Sequence, residues 1–384
     1  MSILVGPNGS GKSSLLREIA THYRHSREVT VVSNTPHDRF QGLSDVRRIA
    51  VGRVGQSPRA IVKDAVGQSV DADDSRFHQI GATLEYCGYR PRFGFRIAPG
   101  RLYGRSLDEV RYEIEAMQER RGKGIEDRSG DLARAAAYLR SHDPREVVWV
   151  ETGGKAYEHS RGRDIAPVLR CEGRLRSHRF IRGVRVYLQR EGGETIEMQL
   201  ASSGQLALIS SLLFLIVNAG RAPLIIVDEP ENSLHPNWQR EYVDKLLTAM
   251  SYRDATIIVA THAPLVVTGA LADGGGNVSI FEVRNASPTR LPIDDAGGAT
   301  SSIEEILWRA FDTVTPANHF VSERLVAAMT DFEEGRSSKR EVLGLVDDLD
   351  KRSFDPRQKR FFAAFRQLLD KVEAVRQGRG GGDE

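Results

Sequence analysis

The sequence predicts an α/β fold built on a mainly parallel central sheet, and three segments carry that expectation. Ile3-Leu4-Val5 is a short apolar run leading straight into a glycine-rich loop and then a helical pattern. Leu224-Ile225-Ile226-Val227 is a continuous apolar run ending in Asp228-Glu229-Pro230. Thr256-Ile257-Ile258-Val259-Ala260 is a third, ending in Thr261-His262-Ala263-Pro264. Runs that are apolar throughout, rather than at every second position, suit strands buried on both faces, as in parallel sheets covered by helices. Ligands of such sheets bind beyond the carboxyl ends of the strands. The residues after each run are therefore the first candidates for chemistry.

The loop after the first strand reads Gly6-Pro7-Asn8-Gly9-Ser10-Gly11-Lys12-Ser13-Ser14. It satisfies G-x-x-x-x-G-K-[ST] between a strand and a helix, the pattern of a phosphate-binding loop. Gly6, Gly9 and Gly11 let the backbone turn tightly, so that its N–H groups surround phosphate oxygens. Lys12 is expected to reach the β- and γ-phosphates of a nucleotide and the Ser13 hydroxyl to ligate Mg2+. The helix that follows, through about residue 23, points its positive end at the same anion.

Asp228 closes a buried strand, where it is placed to hold Mg2+ directly or through water. Glu229 is placed to take a proton from an attacking water, as a general base. Glu231-Asn232-Ser233-Leu234-His235-Pro236 comes next, with Pro236 at a first helical position and a helical apolar pattern from Trp238 to Met250. His235 reads equally as an interface residue or as a local cap. About twenty residues before the acidic strand stands Ala201-Ser202-Ser203-Gly204-Gln205, ahead of an apolar helix over 206–217. Ser202, Gly204 and the start of that helix make a second anion-binding end.

In order and approximate spacing, these four motifs resemble those of ABC-type ATPases. Ala201 stands where that family's signature has Leu. Residues 229–236, Glu-Pro-Glu-Asn-Ser-Leu-His-Pro, look like the SMC/RecF-like and overcoming-lysogenisation-defect branch, which includes bacterial anti-phage ATPases such as those of Septu and retron systems. Residues 31–40, 84–89 and 303–308 agree more softly. The resemblance implies a P-loop NTPase of ABC type with ATP and Mg2+ as its ligands. It makes His262 the switch histidine that hydrogen-bonds the γ-phosphate. Residues 231–236 correspond to the D-loop, which touches a partner subunit. Ser202, Ser203, Gly204 and Gln205 would complete the ATP site of a neighbouring copy, implying a homodimer or higher oligomer. Such enzymes carry a few strands before the phosphate loop. Here the loop lies five residues from the first residue given, so that lobe is expected to be lost or to precede this start. Arg39 or Phe40 is then a guess for adenine recognition. Gln41, Gln56 and Gln68 all stand as Q-loop candidates.

Four regions follow: 1–60 as the first ATPase half, 61–178 as a mostly helical insertion or lid, 179–300 as the second half, and 301–384 as a helical region with a disordered tail. Within the insertion, 106–121 and 131–140 read as helices, with basic, flexible residues at 120–124. Further arginines stand at 161–163 and 174–185; they read equally as solvated charges and as contacts for nucleic-acid phosphates. Residues 184–189 and 195–200 alternate around Gly192-Gly193, a hairpin signal. Ser302 with Glu305 makes a capping box, Asp355-Pro356 starts another helix, and Phe361, Phe362, Phe365, Leu368, Leu369 and Val372 form an apolar stripe suited to packing or docking. The Asp348-x-Asp350 pair is reminiscent of a Toprim metal site, but it falls within an amphipathic helical pattern.

The net charge of +2 gives no global drive toward nucleic acid or membranes. Two distant cysteines argue against a disulfide framework, there is no signal peptide, and the apolar segment 206–217 is too short to span a bilayer. A cytoplasmic protein without a membrane partner is expected. The first functional reading is a regulatory ATPase of an anti-phage system that controls a separate effector, a nuclease or toxin. The alternatives are a RecF/SMC-like DNA-repair ATPase, with nucleic acid as its partner, and a transporter ATP-binding subunit.

Overall fold

A computed structural model describes residues 1–35, 38–50, 57–69, 75–106, 130–153, 160–273, 278–291, 319–351 and 356–379. The expected helix over 106–121, apart from Ser106, the basic stretch 120–124, Gln56, the Ser302–Glu305 capping box, residues 303–308 and Asp355 lie outside the described residues.

In chain order the strands are β1 (Ser2–Val5), β2 (Val29–Ser33), β3 (Val46–Ala50), β4 (Tyr89–Pro99), β5 (Val148–Glu151), β6 (Ile181–Arg190), β7 (Thr195–Glu197), β8 (Leu224–Asp228), β9 (Thr256–Ala260), β10 (Ser279–Arg284) and β11 (Ser287–Arg290). The first helices are α1 (Lys12–Tyr23), α2 (Pro58–Ser69), α3 (Ser75–Tyr86), α4 (Asp131–Ser141), α5 (Ser160–Arg170) and α6 (Glu172–Ser177). Then come α7 (Ser203–Asn218), α8 (Pro236–Ala249), α9 (Pro264–Asp273), α10 (His319–Glu333), α11 (Lys339–Lys351) and α12 (Pro356–Arg379).

The chain divides into two compact units, Met1–Lys12 with Thr261–Glu384, and Ser13–Ala260. In the second, β2, β3, β8 and β9 pair in parallel in the order β9-β8-β2-β3. The register sets Asp228 beside Ala260 on one flank and Ser33 on the other, so three strands end level. Leu224, Ile225, Ile226 and Val227 are all at most 2% exposed, as their unbroken apolar run requires. Each such burial contributes about 1.5–3 kcal/mol relative to exposure. Helix α7 is buried along nearly its whole length, which fits its being apolar on every side.

The same unit holds a four-stranded antiparallel sheet, ordered β5-β4-β6-β7. The hairpin expected around Gly192-Gly193 is β6–β7. Segment 61–178 supplies helices α2 to α6 and also β4 and β5. The eleven-residue β4 is hidden in the sequence because Pro91, Gly94 and Pro99 interrupt its alternation.

In the other unit, β1 pairs in parallel with β10, and β10 turns back onto β11. Helices α10 to α12 form a separate apolar cluster that includes Leu325, Val346, Leu349, Phe362 and Leu369. Of the apolar stripe, Phe362, Phe365 and Leu369 are buried in that cluster, while Phe361 and Leu368 are exposed. Arg366 donates to both Asp347 and Asp350, so that part of the acidic segment is occupied by ion pairs between α11 and α12. Helix α12 extends through Gly378 and Arg379, where a disordered tail was expected to have begun.

Candidate nucleotide site

The phosphate loop follows β1 directly. Gly6, Gly9 and Gly11 have φ of +147°, +84° and +97°, so the three glycines sit where side-chain-bearing residues are strained. Gly11 is doubly constrained: a Cβ there would meet the Ala286 backbone nitrogen at 2.7 Å. The Ala286 N–H in turn donates to Ser10 O at 2.8 Å, so the β10–β11 turn braces the loop. Pro7, Asn8 and Gly9 are exposed, while Ser10 is buried. The Lys12 side chain is 4% exposed and its Nζ donates to Gly6 O at 2.8 Å and Pro7 O at 3.2 Å. Its charge is thus held against the loop by carbonyls that a phosphate oxygen would replace.

Ser13, next in the chain, donates from Oγ to Asp228 Oδ1 at 3.0 Å. Asp228 is fully buried at the end of β8. A hydroxyl and a carboxylate brought together beside a phosphate loop are hard oxygen donors, a set that fits Mg2+. Glu229 follows with φ +53°, its N–H donating to Ala260 O at 2.9 Å. A non-glycine residue in the left-handed region, one before a proline, is a strained conformation held by its surroundings. Asn34 supplies part of that hold: its N–H donates to Asp228 O at 3.0 Å, and its carbonyl accepts from Asn232 Nδ2 at 3.0 Å. Asn34 lies in the softly agreeing segment 31–40 but has no role of its own there; its place just past β2 marks it.

In the other unit, Thr261 is buried, its N–H donating to Leu4 O and its Oγ1 accepting from the Ala263 N–H, both at 3.0 Å. These bonds fix the backbone on both sides of His262, whose side chain is exposed.

Ser202 is the N-cap of α7. Its hydroxyl accepts from Gln205 N, and Gln205 Oε1 accepts from Ser202 N at 3.1 Å, a reciprocal capping box. Gln205 reaches further: Oε1 accepts from the Tyr89 hydroxyl at 2.8 Å, and Nε2 donates to Cys87 O at 3.0 Å. Tyr89 opens β4 and is 1% exposed; burial raises its pKa, so the hydroxyl stays a donor. Burial likewise pushes the Cys87 thiol up to about 12, keeping it protonated. Tyr89 has no role that its local sequence could signal, since the bond spans more than a hundred residues. Gly204 admits no side chain, because a Cβ would lie 2.4 Å from Ser233 O. Ser203 is exposed on the first turn. Gln205→Ala removes three hydrogen bonds, one of them half the capping box, so a loss of about 2 kcal/mol is expected. Tyr89→Phe removes one bond, and a loss of about 1 kcal/mol is expected. Urea denaturation reads both; equal midpoints for Gln205→Ala and wild type would show that the side chain holds nothing.

The guesses for adenine fare differently. Phe40 is fully buried and cannot offer its ring to a base. Arg39 donates to Ser14 Oγ at 2.7 Å, at the start of α1. Gln68 is on α2, bonded to Asp64, and Gln41 lies in the turn after Phe40. His235 caps α8, its Nδ1 accepting from the Asn237 N–H at 3.3 Å, and it is exposed.

Residues 96–268 match a family described as an AAA domain, putative AbiEii toxin, of a type IV TA system. That stretch contains Ser202, Gly204, Gln205, Asp228, Glu229 and His262 but not the phosphate loop. No curated protein matches the chain. Among solved structures, it is similar to the SMC head domain from Thermotoga maritima, at 15% identity and a TM-score of 0.23, over 28% of this chain and 39% of that one. A second is an Smc head domain with an extended coiled coil bound to the C-terminal domain of ScpA, from Pyrococcus furiosus, at 11% identity and a TM-score of 0.25, over 68% of this chain and 61% of that one. The chain thus spans about two fifths of the length of the first of these structures. The family match, the glycine-rich loop and the parallel strands together describe an ATPase-type P-loop domain.

Proposed function

We propose that the chain binds ATP with Mg2+, hydrolyses it, and uses the ATP-bound state to pair head-to-tail with a second copy and regulate a separate effector. One observation carries this reading: the Ser13 hydroxyl lies 3.0 Å from the buried Asp228 carboxylate, immediately after a glycine-rich loop and Lys12. Ser13 and Asp228 would hold the ion, which neutralises charge on the phosphate oxygens when bound. Lys12 and the loop N–H groups bind the phosphates. Glu229 accepts a proton from the attacking water, and His262 donates to the γ-phosphate. Residues 202–205 of the second copy supply a helix N-terminus to the same phosphates.

The regulatory role is supported by the likeness of residues 229–236 to anti-phage ATPases; the family description, which names a putative toxin of a type IV TA system, supports the defence setting alone. A partner that prefers one nucleotide state must in turn favour that state, which is all such control requires. Among the described residues no helix is long and apolar enough to cross a membrane. Cys87 and Cys171 are buried and outside any disulfide, which suits the cytoplasm.

Lys12→Ala is the direct test. It removes the one cation of the loop, and ATP affinity measured by calorimetry is expected to fall at least about tenfold, the equivalent of one charge-assisted contact. Asp228→Asn is expected to make that affinity insensitive to added Mg2+. Wild-type affinity in Lys12→Ala would overturn the nucleotide reading.

A further inference from the structure

The chain is near neutral, with 54 Lys and Arg against 52 Asp and Glu, but its charge is unevenly placed. Residues 89–106 contain five arginines and no acidic residue; residues 174–190 contain six arginines and none. The fold lays these two runs side by side. Strands β4 and β6 are antiparallel neighbours, with Arg96 opposite Arg185 and Gly94 opposite Tyr187. Phe93, Phe95, Ile97, Val186 and Leu188 are buried on one face. The two-residue period of a strand then puts Arg92, Arg96, Arg185 and Tyr187 on the other.

Like charges directly opposite on neighbouring strands are destabilising, and little here relieves them. Arg185 finds Glu197 only at 3.9 Å, and Arg59 reaches the same carboxylate at 3.9 Å. Arg96 lies over the Tyr187 ring, 5.6 Å from its centre. Arg96, Arg185 and Arg145 line a cleft of about 270 Å³ whose remaining walls are apolar, with no carboxylate. A second cleft, of about 400 Å³, is lined by Arg176 and Arg179 with Gly173 and Ser177. It lies where the same two runs meet again, through Gly100 N–H to Phe180 O and Leu102 N–H to Arg179 O. Further along the sheet, Arg92 lies over the Trp149 ring at 4.8 Å, while it pairs with Glu151 at 3.1 Å and donates to Gln189 at 2.8 Å.

We propose that this face of the antiparallel sheet binds a single nucleic-acid strand, with phosphates at the cleft of Arg96, Arg145 and Arg185 and bases against the Tyr187 and Trp149 stacks. A small anion would fill one cleft; repeated phosphates match arginines repeated along two paired runs. Aromatic rings beside guanidinium groups give a sequence-tolerant platform for unpaired bases, which a duplex keeps stacked inside itself. The inference stands apart from the nucleotide site, since none of these residues belongs to it.

The test is fluorescence anisotropy with labelled oligothymidine of about 30 nucleotides, a duplex of equal length, and polyglutamate as a second polyanion. Wild-type protein is expected to bind the single strand most tightly, with affinity falling linearly on a log–log salt plot. The Arg96→Gln/Arg185→Gln double variant is expected to bind at least about tenfold more weakly, with a shallower salt slope. Its melting temperature should not fall, since the change relieves the Arg96–Arg185 repulsion, and its ATP turnover should be unchanged, because neither residue belongs to the nucleotide site. Tyr187→Ala should weaken the single strand and leave the duplex unaffected. Equal binding of polyglutamate would mean an acidic protein partner and would overturn the proposal. So would wild-type strand affinity in the double variant, or a wild-type protein that binds no strand.

Discussion

Glu229→Gln is expected to bind ATP about as tightly as the wild type and to hydrolyse it on the order of a thousandfold more slowly, the usual worth of a positioned general base. The substitution keeps the shape and both heavy atoms of the head group but removes the basic lone pair. It should also keep the fold. The backbone at this position is set by its own neighbours: the Glu229 N–H bond to Ala260 O, and the Asn34 N–H bond to Asp228 O beside it. The left-handed φ of +53° costs a side-chain-bearing residue about 1–2 kcal/mol, and glutamine bears that strain as glutamate does. A strained carboxylate persisting beyond a fully buried strand is what a site residue held in place by its surroundings looks like. Single-turnover hydrolysis at saturating ATP and Mg2+ measures the effect, with a separate titration for affinity. Turnover within about tenfold of wild type would remove Glu229 from the role of base, since general-base removal costs more than that.

What could be read in the sequence is what is local. The phosphate loop, the acidic end of β8 and the Thr261-His262 end of β9 are each a few consecutive residues, and buried parallel strands advertise themselves by unbroken apolar runs. The hairpin β6–β7 and the start of α7 were legible for the same reason. Strand β4 was not, because Pro91, Gly94 and Pro99 break its pattern and its partners lie up to about a hundred residues away. Tyr89, Asn34 and Ala286 were invisible as site-supporting residues. Each acts through one or two hydrogen bonds across a long stretch of chain, and no residue type signals such a bond. Phe40 shows the opposite failure. An aromatic near a loop invites a stacking role, and only its burial shows that it belongs to the core. The arginines of 174–185 read equally as solvated charge until the pairing of β4 with β6 set them against a second acid-free run.

Ser203→Arg is expected to abolish ATP-dependent dimerisation while leaving nucleotide binding by the single chain intact. Ser203 is the first residue of α7 and is exposed, so an arginine there meets no obstacle within its own chain. The cap itself is untouched, because Ser202 and Gln205 bond each other reciprocally. Across an ATP-filled interface the outcome differs. In the proposed head-to-tail pair, the second copy's phosphate loop and nucleotide approach this helix end closely enough for its N–H groups to reach phosphate oxygens. Gly204 already packs so tightly that a Cβ would lie 2.4 Å from Ser233 O, which leaves the helix end no room to retreat. A bulky side chain at the neighbouring position then holds the two copies apart. Light scattering after size exclusion reads the effect, best in the Glu229→Gln background, where the ATP state persists. In the proposed pair each site is completed by the other chain, so turnover should fall with the dimer. Because a two-fold pair is self-complementary, mixing Ser203→Arg with Lys12→Ala rebuilds one sound site per mixed dimer: the intact loop of the first chain against the intact residues 202–205 of the second. Turnover should therefore reappear on mixing two inactive proteins. A stable ATP-dependent dimer of Ser203→Arg, or a mixture as inactive as its parts, would show that residues 202–205 act within their own chain as a helix cap alone.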